Sequence, residues 1–77
     1  MTKKKQPFCE NGFLFLPIKD AAYVANLSVT TIRNAIKKGT LEQNGKGYIV
    51  SGDLHKVSSG GLVTIRIKEL EDRYCGH

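Results

Sequence analysis

The 77-residue chain has no tryptophan, two cysteines, two prolines and one methionine, and only 8% of its residues are aromatic. Its longest uninterrupted run of large apolar side chains is Phe13-Leu14-Phe15-Leu16, four residues, against the roughly 20 that a membrane-spanning helix requires. Residues 1–7 are polar and no apolar segment of useful length follows, so no secretory leader is expected. The cysteines are too few for a secreted disulfide scaffold. They are expected to be two free reduced thiols, with a Cys9–Cys75 bridge as the alternative. Cys9, Cys75, His55 and His77 have the residue types of a zinc site, but no CxxC or HxxxH pair supplies the usual local spacing. No metal or cofactor is expected, and the histidines read as ordinary surface residues.

Catalytic groupings are missing too. There is no Ser/His/Asp arrangement and no carboxylate pair in a candidate cleft. Gly45-Lys46-Gly47 lacks the spacing of a phosphate-binding P-loop. An enzyme is therefore not expected. A chain this short buries only about 60% of its unfolded surface, enough for one small domain. Charge of one sign is also scarce. Seven Asp and Glu stand against twelve Lys and Arg, a net charge of +5. That excess suits a polyanionic partner, nucleic acid before an anionic membrane.

What is present begins with helical periodicity. Ile18, Ala21, Ala22 and Ala25 recur at i, i+3, i+4 and i+7 and predict a helix over Ile18–Ala25. Pro17 suits its first turn, and Asp20 suits its dipole. Asn26 tolerates the left-handed conformation that ends helices. Ser28 then caps a second helix, Val29–Lys38, which Gly39 stops. Two short helices on a turn of three residues make a helix-turn-helix. On the second helix Thr30, Thr31, Arg33, Asn34, Lys37 and Lys38 fall within an arc of about 160° at 100° per residue. Val29, Ile32, Ala35 and Ile36 fill the complement. No acid lies between Asn26 and Leu41. A merely solvated helix mixes Glu with Lys, so this face is expected to meet nucleic acid. An amphipathic membrane helix would offer Trp, Phe or Leu on its apolar side, and this one offers only Ala, Val and Ile.

Asn44-Gly45 between Leu41-Glu42-Gln43 and Tyr48-Ile49-Val50 predicts a β-hairpin, a wing after the second helix. Residues 7–11 read as a loop. Phe13–Leu16 reads as a strand or a plug into the core. A short helix capped by Ser51 follows over residues 51–57. Ser58-Ser59-Gly60-Gly61 is a flexible break. The alternation of Val63, Ile65 and Ile67 predicts a strand, then a short helix over 68–74. A single longer helix is the alternative.

Asp20-Ala21-Ala22-Tyr23-Val24-Ala25-Asn26-Leu27-Ser28-Val29-Thr30-Thr31-Ile32-Arg33 resembles the opening of excisionase-type, MerR-like winged helix-turn-helix domains. Lys37-Lys38-Gly39, Leu41, residues 44–50 and Asp53-Leu54 continue the likeness in register. It covers roughly residues 16–57. Asn26 replaces the family's turn glycine, and residues 58–77 have no clear counterpart. In another register Ile65-Arg66-Ile67 would be the second wing strand and 68–74 the closing helix. The run Lys3-Lys4-Lys5 makes residues 1–12 read as a flexible basic arm, and the resemblance implies an α+β winged helix-turn-helix over residues 13–57. Residues 58–77 would pack on the domain or mediate protein contacts.

The resemblance also implies sequence-specific binding of double-stranded DNA, with residues 28–38 in the major groove. Val29, Thr30, Arg33 and Asn34 would face bases. Ser28, Thr31, Lys37, Lys38, Asn44, Lys46, Lys3, Lys4 and Lys5 would meet phosphates. The role implied is a phage or mobile-element excisionase, cytoplasmic and nucleoid-associated. An integrase or another recombination protein would be a further partner, with self-association on adjacent sites. A small transcription regulator of the same fold and a protein-interaction module without DNA binding are the alternatives.

Overall fold

The computed structural model describes residues 5–76. Lys3, Lys4 and His77 lie outside the described residues. The order of elements is β1 (Phe8–Glu10), β2 (Phe13–Leu16), α1 (Ile18–Ala25), α2 (Val29–Lys38), β3 (Ile49–Val50), a 3₁₀ helix (Ser51–Lys56) and α3 (Gly61–Tyr74). The class is α+β. The three strands form an antiparallel sheet in the order β1-β2-β3. Among the described residues no helix is long and apolar enough to cross a membrane.

Both predicted helices form with the expected limits. α1 starts after Pro17 and ends at Asn26, whose backbone is left-handed at φ 57° and ψ 42°. The Leu27 amide returns to the Ala22 carbonyl at 3.0 Å, closing the turn. α2 starts at Ser28, whose Oγ accepts from the Thr31 amide at 3.1 Å. It stops at Gly39, left-handed at φ 88°, and the Thr40 amide reaches the Ala35 carbonyl at 2.9 Å. Such local caps satisfy backbone groups that the helix ends leave free.

Elsewhere the sequence expectations need correcting. Phe8–Glu10 is a strand and not a loop, paired with β2 in the register Phe8↔Phe15, Cys9↔Leu14 and Glu10↔Phe13. The connecting Asn11 and Gly12 both have positive φ, 53° and 82°, which is what a two-residue hairpin of matching twist demands. The predicted hairpin over residues 41–50 does not form. Residues 42–44 are not a strand, and Ile49–Val50 pairs with β2 instead, as Phe15↔Val50 and Leu16↔Ile49. Residues 51–56 form a 3₁₀ helix with Ser51 inside it, buried, rather than capping it. The predicted strand at 63–67, in either register, is replaced by one continuous helix, α3.

The core is aliphatic. Leu14, Leu16, Ala21, Val24, Ile32, Leu41, Ile49, Leu54, Val63, Ile67 and Leu70 are buried together. β2 and β3 contribute the inner face of the sheet, α1 crosses it, and α2 adds Ile32. α3 closes the other side with Val63, Ile67 and Leu70 at i, i+4 and i+7. Arg66 also ties α3 to α1: its guanidinium stacks on the Tyr23 ring at 4.3 Å and donates to the Tyr23 carbonyl.

A Cys9–Cys75 disulfide joins β1 to the residue after α3, with the Cα atoms 5.2 Å apart. The expectation of two free thiols is thereby corrected. The two positions lie far apart in sequence, and only the fold brings them together. Both sulfurs are consumed, so they cannot serve as metal thiolates. Among the described residues no three His, Cys, Asp or Glu side chains gather at a metal-binding spacing.

Candidate nucleic-acid interface

α2 is held to the body by one row of side chains. Ile32 is completely buried, and Val29, Ala35 and Ile36 pack partly against the core. Thr30, Thr31, Arg33, Asn34, Lys37 and Lys38 are all exposed. The opposition of the two faces follows from 3.6 residues per turn once Ile32 is fixed inward. Lys37 and Lys38 occupy the last turn of the helix, where the carbonyl end favours cations.

Among the described residues the single ion pair is Lys56–Asp53 at 3.6 Å, and it involves no residue of α2. Arg33, Lys37 and Lys38 thus face solvent with no acidic partner among the described residues. Nothing internal neutralises them, which is the electrostatic condition for binding a polyanion. The hydroxyls at the helix start are partly engaged: Ser28 Oγ and Thr31 Oγ1 lie 2.9 Å apart. Thr31, Asn34 and Lys38 also line a shallow groove of about 340 Å³ with Leu27, Ala35, Thr40 and Val57.

The loop between α2 and β3 is built by Asn44. Its Oδ1 accepts from the Lys46 and Tyr48 amides, both at 2.9 Å. The Asn44 amide donates to the Tyr48 carbonyl at 2.9 Å, and the Gly47 amide to the Asn44 carbonyl at 3.0 Å. The side-chain oxygen of Asn44 is therefore occupied in shaping the loop. Of the two glycines, Gly47 has its N–H spent internally at φ 91°. Lys46 stays exposed at the tip.

Lys5 converges on this tip. Its Nζ donates to the Lys46 carbonyl at 2.8 Å and lies 5.6 Å from the centre of the Tyr48 ring. Two of the predicted phosphate-contacting lysines are thus neighbours despite a separation of 41 residues. No local sequence signal reports such a contact. The antiparallel pairing of β1 with β2, and of β2 with β3, carries Lys5 there. Lys3 and Lys4 precede it, outside the described residues.

Asp20, in the first turn of α1, has its carboxyl raised above the ordinary 3.8. Burial is the main cause, opposed by its own backbone N–H and by Lys19. The favourable dipole position is here outweighed by lost hydration.

Comparison with family models, with curated proteins and with solved structures finds no match to this chain.

Proposed function

We propose that the chain binds double-stranded DNA sequence-specifically as a small winged helix-turn-helix protein, acting as an excisionase of a phage or mobile element. One observation carries the DNA reading: the outer face of α2, where six exposed polar side chains include Arg33, Lys37 and Lys38 and no acid. α1, the Asn26-Leu27-Ser28 turn and α2 are the helix-turn-helix in this reading, and α2 enters the major groove. The loop of residues 42–48 takes the part of the wing in place of a regular hairpin. The excisionase role is supported by the resemblance over residues 16–57.

The chemistry divides between reading and positioning. Arg33 presents a fork that matches O6 and N7 of guanine, and Asn34 a pair that matches N6 and N7 of adenine. Thr30 and Val29 stand beside them at the start of the helix. Lys37, Lys38 and Lys46 supply charge to phosphates, as do Ser28 and Thr31 through hydroxyls. Asn44 serves by holding the tip on which Lys46 sits. One such module buries about 600–1,000 Å² on DNA, so specificity is completed by further copies on adjacent sites or by an integrase.

Selection from a random duplex library at two salt concentrations tests the reading. A recovered motif, bound more weakly as salt rises, supports it. Absence of both enrichment and salt dependence rejects DNA and leaves a protein-interaction module. The recombination role is tested in cells: unchanged site-specific excision after deletion of the gene rejects it and leaves a transcription regulator.

A further inference from the structure

All three phenylalanines lie on one face of the sheet, and none belongs to the buried core. The register requires this placement. Leu14 and Leu16 point inward, so Phe13 and Phe15 point outward, and Phe8, opposite Phe15, joins them. Val50, opposite Phe15, shares the face. The Phe8 and Phe15 rings stack with centroids 5.1 Å apart and planes 16° apart. Tyr48 meets Phe8 edge-on at 4.8 Å. Phe13 is 58% exposed. None of Phe8, Phe13, Phe15 and Tyr48 is among the side chains packed against the core.

Its rim is basic. Lys5 lies over the Tyr48 ring, and its Nζ bonds to Lys46. Glu10, opposite Phe13, is the one acid that the strand register places here. Phe13 is exposed, and Phe8, Phe15 and Tyr48 are half-buried; rings so presented suit either a protein or the flat faces of bases. Lysine is depleted at protein–protein interfaces, whereas aromatic platforms flanked by cations are the common device for holding single strands. Charge therefore decides between them. We propose that the outer face of the sheet binds single-stranded DNA, stacking unpaired bases on Phe13, Phe15 and Tyr48 while Lys5 and Lys46 hold phosphates. Only the choice of DNA over RNA rests on the duplex reading of α2; the single-strand site does not.

Fluorescence anisotropy on the full, oxidised chain tests this with an oligothymidylate of about 12 nucleotides, a length within the usual site sizes of such platforms. An abasic strand of equal length and an oligouridylate serve as controls. Phe13→Ala, at an exposed position, and Tyr48→Leu are each expected to weaken oligothymidylate binding about fivefold or more. Circular dichroism confirms that each variant is folded. The abasic strand is expected to bind more weakly than oligothymidylate and to be indifferent to both variants. An Arg33→Ala/Lys37→Ala variant is expected to keep single-strand binding and lose duplex binding. Equal affinity for the abasic strand, or no effect of either aromatic substitution in a folded protein, overturns the proposal. So does tighter binding of oligouridylate, or a Phe13→Ala-sensitive dimer in sedimentation, which would assign the face to a second copy. If the α2 variant retains duplex binding, the duplex reading fails, whatever the single strand does.

Discussion

Arg33 and Lys37 sit one turn apart on the same exposed face, yet they are expected to act differently. A guanidinium fork opposite a guanine discriminates among bases, while an ammonium near a phosphate senses only charge. Arg33→Ala should cost about 1–3 kcal/mol on the selected motif and relax one position of it. Lys37→Ala should weaken all sequences alike and lower the magnitude of the log affinity–log salt slope by about 1. Titrations over a range of salt on matched and mismatched duplexes separate the two. Asp20 offers a residue-scale prediction about stability. Its carboxyl is raised by burial in the folded chain, so ionising it costs more folded than unfolded. Wild-type stability should then fall as pH rises from the ordinary aspartate value through the raised one. Asp20→Asn removes the charge and should melt higher than wild type at pH 7, the difference vanishing in acid. Melting curves across that range check the sign.

At the scale of elements, the sequence was most readable where local chemistry and packing agree. α1 and α2 have periodic apolar faces, and their ends are fixed by Asn26, Ser28 and Gly39, which need no distant partner. The acid-free face of α2 was legible for that reason. The two Asn-Gly pairs behaved differently because the turn type depends on what competes for the asparagine. Asn11-Gly12 takes the positive φ values of a tight hairpin, with Phe13–Leu16 waiting to pair. At Asn44-Gly45 the side-chain oxygen captures the Lys46 and Tyr48 amides and builds a self-contained loop. Leu41 is meanwhile drawn into the core and Ile49–Val50 to the free edge of β2. The aromatic sheet face is not legible in the sequence, because nothing local marks Phe8–Glu10 as a strand and only its pairing with Phe13–Leu16 makes it one.

α3 held two periods at once: Val63, Ile65 and Ile67 for a strand, Val63, Ile67, Leu70 and Tyr74 for a helix. The second buries more, and Ile65 is left 58% exposed. Ile67→Ala should therefore cost about 2–5 kcal/mol, while Ile65→Ala should stay within about 0.5 kcal/mol of wild type. A strand would bury both side chains on one face, so urea denaturation of the pair distinguishes the two arrangements.

For the whole molecule, the Cys9–Cys75 bridge closes nearly the entire chain, a separation of 66 residues. Chain-entropy arguments assign a loop of that size about 4 kcal/mol, a large share of what so small a core supplies. Reduction with dithiothreitol, or a double Cys→Ala variant, should lower unfolding free energy by roughly that amount, read as a drop in the urea midpoint. Disulfides are rare in reducing compartments. In a cytoplasm the domain would have to stand on its aliphatic core alone, and thiol labelling in cells would report which form is present there.

The same bridge makes the molecule a covalent ring between positions 9 and 75. A protease cut in the exposed Ser59-Gly60-Gly61 connection would leave two fragments travelling as one until a reductant separates them. The bridge's Cα atoms are only 5.2 Å apart, so the two ends of the fold lie side by side. A circular permutant that links the segment ahead of Pro7 to Gly76 and opens at Gly60 would keep the same aliphatic core while placing both chain ends in the exposed connection before α3.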